Sequence, residues 1–162
     1  MPDLSLDRID QKILAELQAD GRITNHELAD RVGLSPSPCL RRLRALERKG
    51  VISGYVALVD PEAVGLEVTA FVRVRLSSQD DRHLEAFETR VVAFKDVLEC
   101  YLMSGEADYQ LRVVVPSLAA FEDFLRFKLT RIEGVAQVTT SFALRPVIYR
   151  TALPIDGSTT ST

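Results

Sequence analysis

Hydrophobic residues recur at helical spacing in three short stretches near the start of the chain. The first predicts a helix over residues 5–19. The second, opened by the capping-box sequence Thr24-Asn25-His26-Glu27, predicts a short helix that stops at Gly33. The third predicts a helix over residues 36–50, with Ser35 as its N-cap and a proline at its first position. Two helices joined by a tight glycine-containing turn, packed under a first helix, form a helix-turn-helix.

The third helix has two different faces. Five basic residues and one acidic residue lie between Pro36 and Gly50, a local charge of +4 in a chain whose net charge is −3. A cationic helix that begins with small hydroxyl residues suits the major groove of DNA. A solvated surface helix is the alternative interpretation. Cys39, Leu40, Leu43 and Leu46 form the apolar face, and Ser37, Arg41, Arg44 and Arg48 form the polar stripe.

The chain changes character after Gly50. Residues 51–59 are β-branched and largely unbroken, which predicts a strand that would serve as a wing or hinge. Asp60-Pro61 ends this strand, and residues 61–65 are typical of a short linker.

The second half alternates strand and helix patterns. Their order is strand, helix, strand, strand, helix, strand, which is the split βαβ arrangement of ferredoxin-like domains. The predicted fold class is therefore α+β, a winged-helix-like helix-turn-helix domain followed by a ferredoxin-like βαββαβ domain. The predicted strands cover residues 68–76, 97–103, 109–115 and 135–144, with helical stripes at 84–94 and 118–132.

Two helices cover only one face of a four-stranded sheet. We expect the other face to include Phe71 together with Leu98, Cys100 and Leu102 or their neighbours. Such a face is too apolar for open water, which predicts burial by a second copy across a two-fold axis.

These patterns divide the 162 residues into two domains. We predict a DNA-binding domain at 1–50, a strand and hinge at 51–65, a ligand-sensing and oligomerisation domain at 66–154, and a disordered tail at 155–162. The acidity belongs to the second part, because residues 1–60 hold nine basic and nine acidic groups and the remainder eleven and fourteen.

Composition narrows the class of protein further. The chain has no apolar run near 18 residues and no secretory signal, which predicts a cytoplasmic protein without membrane contact. Its two cysteines, Cys39 and Cys100, lie in apolar patterns and predict reduced core thiols. The two histidines make no metal-ligand spacing with them, so neither a metal site nor a cofactor is expected.

One block of sequence is far more specific than a generic helix-turn-helix. Residues 35–42, Ser-Pro-Ser-Pro-Cys-Leu-Arg-Arg, within a matching run over 20–55, resemble the Lrp/AsnC family of bacterial and archaeal transcriptional regulators. The second half is similar to the regulatory domain of that family, including Ser104-Gly105 and Asp108-Tyr109, and the resemblance extends from Leu4 to Leu153. It implies DNA binding by dimers that often assemble into octamers. It also implies a response to an amino acid or a related small metabolite bound between regulatory domains.

The polar stripe gives candidate contacts to double-stranded DNA. We expect Ser37, Arg41 and Arg44 to approach the groove, with Arg41 reading a base edge. Ser35 and Arg42 are expected at phosphates, while Arg48 and Lys49 add positive field; surface ion pairs are the alternative for each arginine. Thr24 and Asn25 begin a helix and are expected to contact oxygens of the DNA backbone.

The candidate effector site centres on the hairpin before the third strand of the sheet. Gly105 lets backbone N–H groups approach a carboxylate, and Asp108 accepts from an ammonium group. An ordinary turn, in which Asp108 bonds its own backbone, is the alternative. Residues expected to complete the pocket where two domains meet are Tyr101, Ser104, Thr139, Thr140 and Ser141.

An enzyme and an architectural DNA-organising protein are the alternatives to a ligand-responsive regulator. An enzyme on the ferredoxin-like half lacks a histidine near Asp108, a Cys–His pairing pattern and a phosphate-binding glycine loop, so we expect no catalytic activity. An architectural DNA-organising protein that ignores small molecules would carry the same basic helix.

Overall fold

In the computed structural model, which describes residues 5–155, three helices build the amino-terminal part: α1 (Arg8–Ala19), α2 (Asn25–Val32) and α3 (Pro36–Arg48). Helix α1 begins later than predicted because the Asp7 carboxylate caps it, accepting from the Ile9 and Asp10 N–H groups. The capping box between Thr24 and Glu27 is present in both directions. Gly33, at φ 76°, ends α2 in the left-handed region. The predicted helix-turn-helix is therefore confirmed.

The cap of α3 differs from the prediction. Ser35 has the extended backbone of an N-cap residue, but its side chain makes no capping hydrogen bond. An N-cap side chain normally accepts from the N–H of the second or third helical residue. The third position is Pro38, which has no N–H to donate. The Ser35 hydroxyl is therefore left uncommitted beside the start of α3.

The three helices share one apolar core. Ile13 from α1, Leu28 from α2 and Cys39 from α3 are all essentially inaccessible to solvent within it. Val51, Ile52 and, from the other end of the chain, Ile155 pack against the same cluster. The first compact unit thus comprises residues 5–58 together with 148–155, whereas the predicted boundaries placed a linker at 51–65 and ended the second domain at 154.

The strand predicted over residues 51–59 is absent from the described structure. Residues 53–60 are exposed and have no regular secondary structure, and no other described segment pairs with them. A strand is defined by its ladder of hydrogen bonds, and β-propensity alone does not supply a partner. Tyr55 joins this stretch to α3, because its hydroxyl donates to the Glu47 carboxylate at 3.0 Å. Burial and Glu47 raise the pKa of Tyr55 to about 12, so this phenol stays a neutral donor.

The second unit, residues 59–147, is an antiparallel sheet with helices on one face. Its strand order is β2-β3-β1-β4, with β1 and β3 at the centre, which confirms the ferredoxin-like prediction. The predicted second helix is interrupted, because α5 continues into a π turn over Phe124–Lys128 and a 3-10 turn over Leu129–Arg131. The elements are β1 (Val68–Leu76), α4 (Asp81–Val92), β2 (Val97–Leu102), β3 (Tyr109–Val115), α5 (Leu118–Asp123) and β4 (Val135–Phe142).

The helix-covered face of this sheet forms the second core. Alternate residues of β1 and β3 are buried against α4 and α5, as period-two patterning requires. Phe87 of α4 contacts Tyr109 of β3 with ring centroids 4.5 Å apart, and the Tyr109 hydroxyl donates to Glu88 at 2.8 Å.

The uncovered face is more polar than expected. A bulge between Val97 and Glu99 sets the register of β2, so Cys100 and Leu102 pair with buried Leu111 and Tyr109 on the helix side. These two residues are nevertheless exposed because β2 is an edge strand, and the prediction of a core thiol is wrong for Cys100 although it holds for Cys39. Phe71 lies on the open face as predicted, whereas Cys100 and Leu102 do not; burial of that face by a second copy stays a prediction. The open face carries Thr69, Phe71, Arg73, Arg75, Glu99, Tyr101, Gln110, Arg112, Val114, Gln137, Thr139 and Ser141.

Two features are absent from residues 5–155, a membrane-spanning helix and a metal-binding cluster. No helix in this range has the length and apolar character needed to cross a bilayer. No group of three or more His, Cys, Asp or Glu side chains in it is arranged to hold a metal ion. The tail predicted to be disordered lies, from residue 156 onward, outside the described residues.

Two neighbouring valines at the end of α4 test which face of this helix packs against the sheet. Val91 is 3% exposed against the sheet, whereas Val92 is 87% exposed. We expect Val91→Ala to lower the free energy of unfolding by about 2 kcal/mol through lost burial and a residual cavity. Val92→Ala should leave it unchanged or slightly raised, because alanine is the better helix former. Urea unfolding followed by circular dichroism measures both, and equal losses would contradict the assignment.

Candidate DNA-binding surface and effector site

The polar stripe of α3 faces solvent. Ser37, Arg41 and Arg44 are exposed on one side of the helix, with Arg48 one turn further on. Within residues 5–155, none of these three arginines has a carboxylate within ion-pair distance. Lys49, the C-cap residue, is likewise exposed and unpaired in that range. The surface-ion-pair alternative is therefore not what the structure shows for this stripe.

Arg42 has a different environment from its neighbours. Its Nη1 contacts Asp7 Oδ2 at 2.6 Å and Asp10 Oδ1 at 2.9 Å, so the guanidinium joins α3 to α1. The Asp10 backbone N–H and the Arg42 guanidinium hold the pKa of Asp7 below its usual value. For Arg42 the structure thus shows the surface-ion-pair alternative, since its partly exposed guanidinium is paired with two carboxylates.

The side chains at the start of α2 also form hydrogen bonds within the helix-turn-helix. The Thr24 hydroxyl donates to Glu27 Oε2 at 2.8 Å and accepts from the Glu27 N–H. Asn25 Nδ2 donates to the Pro36 carbonyl at 2.9 Å, which fixes the start of α2 against the start of α3. Both side chains thus shape the helix-turn-helix: the capping box predicted this role for Thr24, whereas nothing in the sequence predicted the Asn25 bond to Pro36.

Asp108 is the most buried of the candidate effector residues. It is 5% exposed immediately before β3. Its Oδ2 accepts from the Leu76 N–H at 2.6 Å and its Oδ1 from the Gln79 side-chain amide at 2.6 Å. The carboxylate therefore does not bond its own turn, which corrects that alternative; it ties the hairpin to the end of β1.

The loop between β2 and β3 holds two of the predicted residues. Ser104 and Gly105 are exposed there, and Gly105 has a φ of 126°, a conformation that favours glycine. Nothing lies within 4 Å of the position that a Cβ of Gly105 would occupy. The loop backbone is consequently open to an approaching molecule.

The remaining candidates do not converge within one protomer. The pairing register places Tyr101, Gln110, Arg73 and Thr139 in one row across the open face. Three strand spacings separate Tyr101 from Thr139, about 14 Å. Ser141 shares that face with Thr139, but Thr140 pairs with Val72 and points to the helix side, so the three polar residues of β4 do not form one surface. A groove of about 600 Å³, lined chiefly by Arg82, Arg90, Arg131 and Ile132, contains none of the predicted residues.

Comparison with known proteins settles what this combination of domains is. Residues 6–53 match a winged helix-turn-helix DNA-binding family, and residues 69–153 match the Lrp/AsnC ligand binding domain. The chain belongs to the Lrp/AsnC family. It is a DNA-binding transcriptional regulator with a ligand-binding domain, as the resemblance of residues 35–42 implied.

Relatives of this Lrp/AsnC regulator cover nearly its whole length. The leucine-responsive regulatory protein of Rhizobium meliloti is 49% identical over 144 residues, covering 89% of this chain and 92% of that protein. The Bkd operon transcriptional regulator of Pseudomonas aeruginosa is 47% identical over 150 residues, covering 93% and 98%. A transcriptional regulator of Neisseria meningitidis solved as a complex with L-Met has a TM-score of 0.89 at 41% identity, covering 94% and 98%.

Arg42 offers a test of how the helix-turn-helix of this regulator is held. We expect Arg42→Gln to lower the free energy of unfolding at neutral pH by less than about 1 kcal/mol, since the pair with Asp7 is partly solvated. The pKa of Asp7 is depressed in the folded state, so this contribution is present above its ordinary pKa and is lost as pH falls through the depressed one. The difference between wild type and variant should therefore shrink below about pH 4.

Arg44→Gln is the matched control, since Arg44 lies on the same helix without a carboxylate partner in the described range. Urea unfolding of both variants between pH 3 and pH 7 makes the measurement. A difference for Arg42→Gln that grows on acidification would be inconsistent with the ion pair.

Proposed function

We propose that this regulator contacts duplex DNA through the polar stripe of α3 and changes its affinity when an amino acid binds its second domain. The observation that carries the first half is the set of three exposed arginines without carboxylate partners along one helix face. An uncompensated row of guanidinium groups on the second helix of a helix-turn-helix matches the phosphates and guanine edges of a major groove.

Each side chain of the stripe takes a distinct role in this proposal. Arg41 lies in the first half of α3, which is the part that enters the groove, and reads a base edge with Ser37 and Arg44 beside it. The uncommitted Ser35 hydroxyl donates to a phosphate. Arg48 and Lys49, at the far end, add positive field. Arg42, Thr24 and Asn25 support the stripe from inside the domain.

Arg41→Ala tests the assignment of base reading. We expect it to weaken binding to a duplex selected by the protein from a random pool by about 1–3 kcal/mol and to relax base preference at one position. Binding to random DNA should fall much less. Fluorescence anisotropy at several salt concentrations measures both affinities.

Arg8→Ala is the control for Arg41→Ala, since Arg8 is an exposed arginine at the start of α1, outside the stripe. It should leave both affinities within experimental error. Equal losses on selected and random duplexes for Arg41→Ala would make Arg41 a phosphate contact and contradict base reading.

The effector half of the proposal rests on the β2–β3 loop. The second domain belongs to a ligand-binding family, and the Neisseria relative is a complex with L-Met. Exposed N–H groups around Gly105 and the Ser104 hydroxyl suit the carboxylate of an amino acid. The ammonium is received by Asp108 Oδ1, whose present partner is the exposed and displaceable side chain of Gln79.

A complete pocket in this proposal requires a second copy of the chain. Tyr101 and Thr139 are too far apart to close on one small molecule, so other protomers supply the remaining walls. Two segments outside the helices and strands carry exposed apolar side chains and support self-association: Val56 is 84% exposed in one and Leu144 98% exposed in the other. We propose a homodimer that assembles further, an octamer being the form expected from the resemblance. A cytoplasmic location, where the protein has access to duplex DNA, is part of the same proposal.

Calorimetric titration with each of the twenty amino acids tests the effector assignment. We expect L-leucine or L-methionine to be among those that release heat. Asp108→Asn should weaken that binding at least roughly tenfold, because it removes the charge that receives the ammonium. Glu106→Gln, a change to an exposed carboxylate in the same loop, is the control.

Thermal melts establish that Asp108→Asn remains folded despite the loss of a buried hydrogen-bond acceptor. Absence of heat with all twenty amino acids would refute the effector assignment. DNA binding measured on the same preparations would still report on α3 independently.

A further inference from the structure

The carboxyl-terminal segment of the chain docks onto α1. Residues 148–155 belong to the same compact unit as the three helices. Gln18 Nε2 donates to the Leu153 carbonyl at 3.0 Å, and the Leu153 N–H donates to Gln18 Oε1 at 2.7 Å. One side-chain amide thus satisfies both backbone groups of a residue 135 positions away.

An apolar anchor lies two residues beyond this pair. Ile155 is half-buried and packs against the core cluster that contains Ile13 and Leu14 of α1. The side chain of Leu153 is 71% exposed, so docking depends on its backbone and on Ile155. Pro154, between them, restricts the backbone and reduces the entropy lost when the segment is ordered.

Helix α1 connects this docked segment to both helices of the helix-turn-helix. Glu16 pairs with Arg31 of α2 at 2.9 Å. At the other end of α1, Asp7 and Asp10 hold Arg42 of α3. Gln18 lies on the last turn of α1, two residues beyond Glu16, so the docked segment and the Glu16–Arg31 pair hold the same end of the helix.

We infer that residues 148–155 are a docked strap that holds α1, and through it α3, in the arrangement that binds DNA. Gln18 is a positioning residue for DNA binding and touches no nucleotide itself. Because coupling between two binding events is reciprocal, DNA bound at α3 stabilises the docked strap by the same factor by which the strap favours DNA binding. The inference rests on α3 being the helix that contacts DNA.

The rate of limited digestion with trypsin measures how much of the protein has the strap undocked. Arg150 is exposed within the strap, and cleavage after it releases the peptide 151–162, which mass spectrometry quantifies. Gln18→Ala removes both hydrogen bonds and should speed this release roughly fivefold, provided that cleavage follows the undocked population. Gln11→Ala, on the same helix and without a side-chain hydrogen bond in the described residues, should not change it.

Measurements with DNA then test the positioning role. In the wild-type protein a saturating duplex should slow release of the peptide, and Gln18→Ala should weaken binding of that duplex roughly threefold or more. Ile155→Ala should act in the same direction through the apolar anchor. Gln11→Ala should retain wild-type affinity.

Two results would overturn the inference, and they are distinguishable. Unchanged release in both Gln18→Ala and Ile155→Ala, measured without DNA, shows that the strap is not docked by these contacts, whatever α3 does. Faster release with unchanged DNA affinity and no protection by DNA shows that the strap is docked but positions nothing.

Discussion

Burial of Cys39 and Leu46 in the three-helix core, together with the ion pairs between Arg42 and two carboxylates of α1, sets which face of α3 meets solvent. Asp7 uses its two oxygens differently: Oδ1 caps α1 by accepting two backbone N–H groups, while Oδ2 contacts the guanidinium. Asp10 stands one turn further along α1 and contacts the same nitrogen. One arginine is thereby neutralised toward the core, and the stripe that contains Arg41 and Arg44 is turned toward solvent. The positive charge available to DNA is concentrated on a single face because the carboxylates lie on the other.

A buried carboxylate plays a comparable part in the second unit. Asp108 accepts from the Leu76 N–H and from Gln79, and its own N–H donates to the Val74 carbonyl. A buried charge is tolerated only when it is well hydrogen-bonded, so the end of β1 and the loop after β2 are held in one arrangement. The loop around Gly105 is thus exposed at its tip and fixed at its base. A preorganised base lowers the cost of ordering backbone donors around a ligand.

Much of this architecture follows from local patterns. Helical and alternating periodicities predicted the five α-helices and the four strands of the described residues, since burial of one face leaves a signature in the sequence itself. Side-chain partners from distant elements leave none: nothing near Arg42 indicates Asp7, and nothing near Gln18 indicates Leu153. The bulge at Leu98 shifted Cys100 and Leu102 to the other face, because one inserted residue reverses a period of two. For residues 51–59 the propensity for a strand was evident, but the described chain contains no partner.

The open face of the sheet and the segments that flank the second unit differ in polarity. A face that exposes Arg73, Arg75 and several hydroxyl and amide groups can be buried only if those groups find partners, because each unpaired polar group costs free energy when it loses water. A second copy that closes the proposed pocket beside Tyr101 and Thr139 must therefore supply polar partners there. The segments around Val56 and Leu144 present the opposite chemistry, exposed apolar side chains on chain that belongs to no described helix or strand. Strand pairing between copies would cover these side chains. The same segments lead into and out of the DNA-binding unit, at residues 58 and 148. Association through them would therefore constrain both chain connections between the ligand-binding domain and the helices that meet DNA.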